Sequence, residues 1–327
     1  MRRNFILYIL LLTILLSATS CDRWLELQPQ DGIIKQEFWK TKEQVQSAVI
    51  GCYASLLGNT TSGRTLVEQL FLWGELRADM LSPTLSTLAE EQDIINVNIL
   101  PSNTIANWRV VYKTINYCNT VIDFAPEVLN NDKTFSEKAL NGYVAEVKAL
   151  RALMYFYLVR TFGEVPLKLT ATSSDEEITP LAKSTKTEIL SQIVKDLSEA
   201  EPNTALTYGS DAADKGRITR YGVNAIQADV YLWMEKYAES LAACDKIIKA
   251  NRFGLLEGNN VWFNQLFVVG NSNESIFEFQ VRAENAVGAS AWSAIETGYI
   301  RPALAPVFVS QTGIPSKIGV GQTFTFS

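Results

Sequence analysis

"AEVKALRALMYFYLVRTFGEVPL" occupies residues 145–167, and its pattern decides what sort of protein this is. Together with the residues just before it, the segment carries Leu140, Tyr143, Val147, Leu150, Met154 and Tyr157 at three- and four-residue spacings. That is one stripe of an α-helix. From Ala152 to Val159 the segment is apolar nearly all round, which predicts a helix buried on every side. Gly163 and Pro166 end it. A helix with no polar face needs other helices around it, so the rest of the chain is read for them.

They occur on both sides. "FWKTKEQVQSAVIGCYASLL", from Phe38, has Thr41 and Gln44 placed for a capping box, then Val45, Val49, Cys52 and Leu56 on one face. "NWRVVYKTINYCNTVIDFAPEV", from Asn107, aligns Trp108, Val111, Ile115, Cys118 and Ile122, with Pro126 past its end. A second box, Thr185 with Glu188, opens a helix whose inner side is Ile189, Ile193, Leu197 and Ala200. The segment from Arg220 to Leu256 reads as a helix pair. Ala228, Tyr231, Tyr237, Ser240, Cys244 and Ile247 fall where a tetratricopeptide repeat places its small and large packing residues. A generic helical hairpin is the alternative. Residues 58–65, 81–104 and 202–217 read as loops. "SIFEFQV", from Ser275, is a strand-like run, and from Ala283 onward the chain is rich in Gly, Pro, Ser and Ala without period. The fold class is mostly α.

The first twenty residues are set apart from the fold. Arg2 and Arg3, an apolar run from Phe5 to Leu16, then Ala18, Thr19 and Ser20 follow the charge, apolar, small-residue order of an export signal. Cys21 at its end predicts a lipoprotein signal, cut before the cysteine, whose thiol takes a lipid. An ordinary signal with a chance cysteine is the alternative. Lipid chains add about 0.8 kcal/mol per buried methylene, so two or three hold a protein on a bilayer.

Composition excludes several chemistries. The chain of 327 residues has no histidine, which removes Ser-His-Asp and Cys-His catalysis and imidazole metal sites. Net charge is -6, and no basic stripe points to nucleic acid. Beyond Cys21, the cysteines are Cys52, Cys118 and Cys244, an odd set at wide spacing read as small buried hydrophobes. No cofactor motif and no metal spacing is present. Asp211, Asp214 and Gly216 lack the ligand spacing of a calcium loop. Glu90, Glu91 and Asp93, like Asp175, Glu176 and Glu177, read as solvated carboxylates rather than the opposed pair of a glycosidase.

Taken in order, several stretches resemble the SusD/RagB family of surface lipoproteins. They are "CDRWLELQPQD" (21–31), the first helix, "NWRVVYKTINYCN" (107–119), residues 145–167 with Arg151 and the closing Gly163, Val165, Pro166 and Leu167, "KSTKTEILSQIVKDLSEAEP", the helix pair, and "NESIFEFQ". The resemblance covers about Cys21 to Gln280. It implies a body of tetratricopeptide-like helix pairs over 21–280 carrying a loop-rich ligand-binding region, after a signal at 1–20. It also implies an incomplete C-terminal region at 281–327, since members of the family are usually longer. It implies no catalysis, and a lid role on a TonB-dependent, SusC-like outer-membrane transporter to which such proteins pass oligosaccharides or, in some members, peptides. The expected location is the outer membrane, lipid-anchored and surface-exposed. A tetratricopeptide-type adaptor that binds protein or peptide is the competing function, and a lipid-anchored hydrolase the third.

Sugar recognition needs aromatic faces beside amide, carboxylate or guanidinium groups. Trp39, Trp108 and Trp233 lie on predicted helices and are assigned to the core. Trp24 is expected to pack the N-terminal strap, and Trp73 is undecided. Trp292, with Tyr299 and Arg301, is the first ligand-binding candidate, in the loop-like stretch "NAVGASAWSAIETGYIR". The 81–104 loop, with Asn96, Asn98 and Asn103, is the second candidate wall.

Overall fold

The computed structural model describes residues 38–57, 64–78, 81–174 and 177–280 in full, and 281–284, 290–293 and 325–326 as backbone. It divides into two units, Met1–Trp39 and Lys40–Ser327. In the first, Phe38 and Trp39 meet edge to face at 5.1 Å, and Trp39 is buried. Cys21, the expected lipidation site, and Trp24 lie outside the described residues.

The second unit is helical. α1 runs Lys42–Leu57, α2 Leu66–Glu75, α3 Ala89–Ile95, α4 Arg109–Phe124, α5 Glu137–Phe162 and α6 Lys186–Ala200. α7 spans Asp211–Gly216, α8 Arg220–Trp233 and α9 Tyr237–Lys249. α5 is the axis. α4 and α6 pack along it, α1 packs on α4 and α5, and the α8–α9 pair docks through α8 onto α6. Leu150, Ala152, Met154, Tyr155, Phe156 and Leu158 of α5 are all buried, so the uninterrupted apolar run does sit at the centre. Each large side chain sealed there contributes about 1.5–3 kcal/mol.

The helix starts follow the sequence closely. Gln44 Oε1 accepts from the amides of Lys40 and Thr41, and Thr41 Oγ1 accepts from Gln44 N. Thr185 and Glu188 close the second box at the start of α6. Ser136 caps α5. α5 ends at Gly163, whose φ of 79° is left-handed; a Cβ there would lie 2.9 Å from Lys186 Cε. The chain then forms β1 (Val165–Pro166), which pairs antiparallel with β2 (Lys183–Ser184). β3 (Val281–Glu284) lies between β4 (Ser290–Ser293) and β5 (Thr325–Phe326).

Several expectations need correction. α2 was not foreseen, and the 81–104 and 202–217 segments read as loops contain α3 and α7. "SIFEFQV" is irregular until Val281, where β3 begins. On α4 the buried residue is Val121, not Ile122. Trp108 is half-buried, and Trp233 is 51% exposed. In the α8–α9 pair, Ser240 Oγ donates to the carbonyl of Ala228 at 2.9 Å, the close approach expected of small residues. Tyr237 points outward instead of filling the groove. With Leu232, Trp233, Leu241 and Ile248 it leaves an exposed apolar face.

Candidate functional site

A polar staple holds the 165–172 segment to the body. Arg151, in the middle of α5, donates through Nε and Nη2 to the two oxygens of Asp196 on α6, each at 2.8 Å. Its Nη1 reaches Asn119 Oδ1 at 2.7 Å and the carbonyl of Leu169 at 3.3 Å. Asn119 Nδ2 then donates to the carbonyls of Lys168 and Thr170, both at 3.1 Å. Asn116 exchanges two hydrogen bonds with the Thr172 backbone, Asp123 accepts from the Ala171 amide, and Tyr155 hydroxyl donates to Lys168 O and accepts from Lys168 N. This segment runs beside helices, where a sheet cannot pair its backbone; the polar face of α4 supplies the partners instead. The guanidinium is planar and five-donor, which is why Arg fits here and Lys would not. Burial raises the Tyr155 and Tyr112 hydroxyls well above the ordinary tyrosine range, so both remain neutral donors; Tyr112 gives its proton to Pro166 O at 2.6 Å.

Past the staple, α2, α4 and the end of α5 share an aromatic cluster. Phe162 meets Trp73 edge to face at 4.9 Å and Trp108 at 5.5 Å. Trp73 is buried, and its indole N–H donates to Ile105 O at 2.6 Å, which settles it as core. Asn98 is exposed, just past α3. Asn103 is buried, and both ends of its amide are used: Oδ1 accepts from Ile105 N at 3.0 Å, and Nδ2 donates to Glu90 O at 2.8 Å. Asn103 therefore ties α3 to the next turn and offers no amide to a ligand. Trp292 lies on β4, its backbone opposite Arg282. Its side chain, Tyr299 and Arg301 lie outside the described residues.

Two concavities open along the 252–279 segment, one against α5 and α8 and the other against α7 and the start of α8. The larger, about 520 Å³, is a mostly apolar cleft with Phe156, Tyr157, Ile226, Leu266, Phe267 and Phe279 on its walls. The smaller, about 180 Å³, is polar and lies between Asp214 and Lys215 of α7, Thr219, Tyr221, Arg252 and Asn271. Asn98 and Asn103 line neither. Asp214 accepts from the Thr207 hydroxyl, the Tyr208 amide and the Arg252 guanidinium. Tyr221 and Phe253 meet edge to face at 5.3 Å. No cluster of metal-ligating side chains occurs among the described residues. None of their helices is long and apolar enough to cross a membrane.

A helical body of this architecture has known counterparts. Residues 23–232 match a SusD-like family whose description is starch-binding, associating with the outer membrane. This chain belongs to the SusD-like family. SusD-like protein P38 of Formosa agariphila is 30% identical over 264 residues, 80% of this chain and 48% of that protein. SusD-like protein P25 of the same organism is 29% identical over 78% of this chain and 47% of its own length. The chain thus spans about half the length of the curated relatives it matches. Among solved structures, a laminarin-binding SusD-like protein superposes with a TM-score of 0.61 at 25% identity, covering 77% of this chain and 53% of that one. NanU of B. fragilis superposes with a TM-score of 0.60, also at 25% identity, over 78% of this chain and 50% of that one. The SusD-like fold and the mostly helical class are therefore established, and the family is one of carbohydrate-binding proteins.

The polar pit was not anticipated. Lys215 and Asn271 sit in stretches that carry no helical stripe and no motif, Arg252 lies at the tail of the helix pair off its packing positions, and Asp214 belongs to an imperfect calcium-loop spacing. Their proximity is created by the fold: α7 and the 271–276 turn are brought together by the Glu278 amide, which donates to Lys215 O at 2.8 Å.

Proposed function

We propose that this chain forms the helical body of a cell-surface lipoprotein that binds oligosaccharide or polysaccharide and passes it to a SusC-like TonB-dependent transporter in the outer membrane. The observation that carries the reading is the match of residues 23–232 to a starch-binding, outer-membrane-associated family. The laminarin-binding relative points the same way. Lipidation at Cys21 would hold the protein on the membrane, with residues 1–20 as its signal, 21–280 as the SusD-like domain and 281–327 as a loop-rich region. The protein works by binding and not by turnover. Asn98, Trp292, Tyr299 and Arg301 remain ligand-contact proposals.

The test is retardation of the purified, delipidated protein on native gels containing laminarin, starch or other polysaccharides, with reducing-sugar release measured in parallel. Retardation by one glycan without sugar release is expected. Trp292→Ala should weaken that retardation about tenfold while leaving the melting temperature unchanged. A large loss of thermal stability would make Trp292 a packing residue. One observation favours a second reading, a protein- or peptide-binding adaptor: the exposed apolar face of Leu232, Trp233, Tyr237, Leu241 and Ile248. Silence toward every glycan, with capture of the transporter intact, would decide for it.

A further inference from the structure

The polar pit has an unusual balance of hydrogen-bonding groups. Its buried acceptors are taken. Asp214 is held by Thr207, Tyr208 and Arg252, and Asn271 Oδ1 accepts from Gln280 Nε2 at 2.6 Å. Its donors are left over. Lys215 is only 7% exposed, and its ammonium donates to the carbonyl of Ser275 and lies 5.3 Å from the centre of the Phe253 ring. It forms no direct ion pair among the described residues: Arg252 has taken Asp214, and the carboxylates of Glu278, Asp211 and Asp214 act on the ammonium only from beyond contact distance. Asn271 Nδ2 has no acceptor among the described residues. A buried ammonium normally carries a carboxylate partner, because desolvation is costly and a charged hydrogen bond offsets it. Here desolvation pushes the Lys215 pKa down.

We propose that this pit receives the carboxylate of an acidic sugar residue at the end of a glycan, with the Lys215 ammonium and the Asn271 amide as its donors. The proposal rests on the glycan-binding reading above. The size fits a chain end: about 180 Å³ is well under the roughly 300–1,000 Å³ of pockets for drug-sized ligands, and leaves room for one ring. Tyr221 and Phe253 supply an apolar wall for the C–H side of that ring. An acidic sugar is thereby preferred over its neutral counterpart, because only the acid adds a direct ion pair to the ammonium, which Glu278, Asp211 and Asp214 do not make.

The experiment is calorimetric titration of the full chain with glucuronic acid, glucose and acetate, in the wild type and in Asn271→Asp. Asn271 sits at φ 53°, a left-handed conformation that Asp tolerates as Asn does, so this change swaps a donor for a negative charge with little strain. Glucuronate should bind at least about tenfold more tightly than glucose or acetate, and Asn271→Asp should remove that preference at unchanged melting temperature. Lys215→Met should do the same; if it fails to fold, the Asn271 variant carries the test. Equal affinity for glucuronate and glucose, equal affinity for glucuronate and acetate, or an Asn271→Asp protein that binds glucuronate normally would each overturn the assignment. Retardation by a neutral polysaccharide with no response to glucuronate overturns the acidic-end assignment alone. Silence toward every glycan overturns this and the glycan-binding function together.

Discussion

Arg151 and Arg252 each grip an aspartate, and the two pairs serve different ends. Arg151 and Asp196 are sealed, with side chains 5% and 2% exposed, and further hydrogen bonds tie the pair to Asn119, Gln192 and the 169 carbonyl. Arg252 is 36% exposed and borders a cavity, and its partner Asp214 is 8% exposed. The first pair joins three helices and a backbone segment. The second fixes one wall of a pit while leaving nearby donors free. The chemistry of the pair is the same; what differs is whether the surrounding groups are saturated. A saturated network is scaffold, and an unsaturated one is where a ligand can add something.

Breaking the sealed pair should have the largest effect on stability. Asp196→Ala leaves the Arg151 charge buried and unpaired, and should cost about 3–5 kcal/mol in urea denaturation. The double change Arg151→Met with Asp196→Leu should recover much of that loss, since two apolar residues leave no charge to desolvate. If Asp196→Ala costs under about 1 kcal/mol, the pair is not the staple its geometry indicates. Next comes Glu146, buried on α5, whose two oxygens take Arg217 Nε at 2.9 Å and Nη2 at 2.6 Å. Arg217 itself is partly exposed and stacks 3.8 Å from the centre of the Tyr208 ring. Glu146→Gln keeps one acceptor and the packing, so about 2 kcal/mol is expected. A loss as large as that of Asp196→Ala would erase the distinction between sealed and half-open pairs.

Arg252→Met tests the other side of the comparison. With over a third of the Arg252 side chain exposed, and with Asp214 still held by Thr207 and the Tyr208 amide, the stability loss should be about 1 kcal/mol. Hydrogen exchange should nevertheless quicken around 206–214, because that wall of the pit loses its tie to residue 252. Unchanged exchange there would mean that Arg252 does not shape the pit.

This contrast also explains what the sequence made legible. Packing leaves a period: the α5 run from Ala152 to Val159, the stripe of α1 and the Thr185–Glu188 box could all be read directly, and all are present. Short helices leave too little of one. α3 buries only Glu91 and Ile94, and α7 only Asp214 and Lys215, so both looked like polar loops. Trp233 illustrates the opposite error: aromatic type and helical position pointed to core, yet α8 turns that face outward. Asn103 was chosen by residue type on a loop, and its amide proved to be a turn-forming group. The pit residues are far apart in sequence, at 214–215, 252 and 271, and only the tertiary fold brings them together.

The smallest expected effect concerns a carboxylate that is neither sealed nor beside a cavity. Asp132 is partly exposed, and it accepts from the Thr134 hydroxyl at 2.7 Å, from Thr134 N at 2.8 Å and from the Lys42 amide at the start of α1 at 3.0 Å. Those bonds, the Thr134 hydroxyl first, hold its pKa down at about 2, from an ordinary 3.8. A lowered folded-state pKa contributes stability that is fully present above the unfolded value and is lost as pH falls through the folded one. Melting temperatures of wild type and Asp132→Asn should therefore differ slightly near neutral pH, and the gap should close as pH falls from about 4 toward 2. A gap that persists at the acid end would show that the asparagine perturbs packing instead of charge. The absence of any gap near neutral pH would show that the bond to Lys42 N does not anchor α1, and that its start is held by the Thr41–Gln44 box alone.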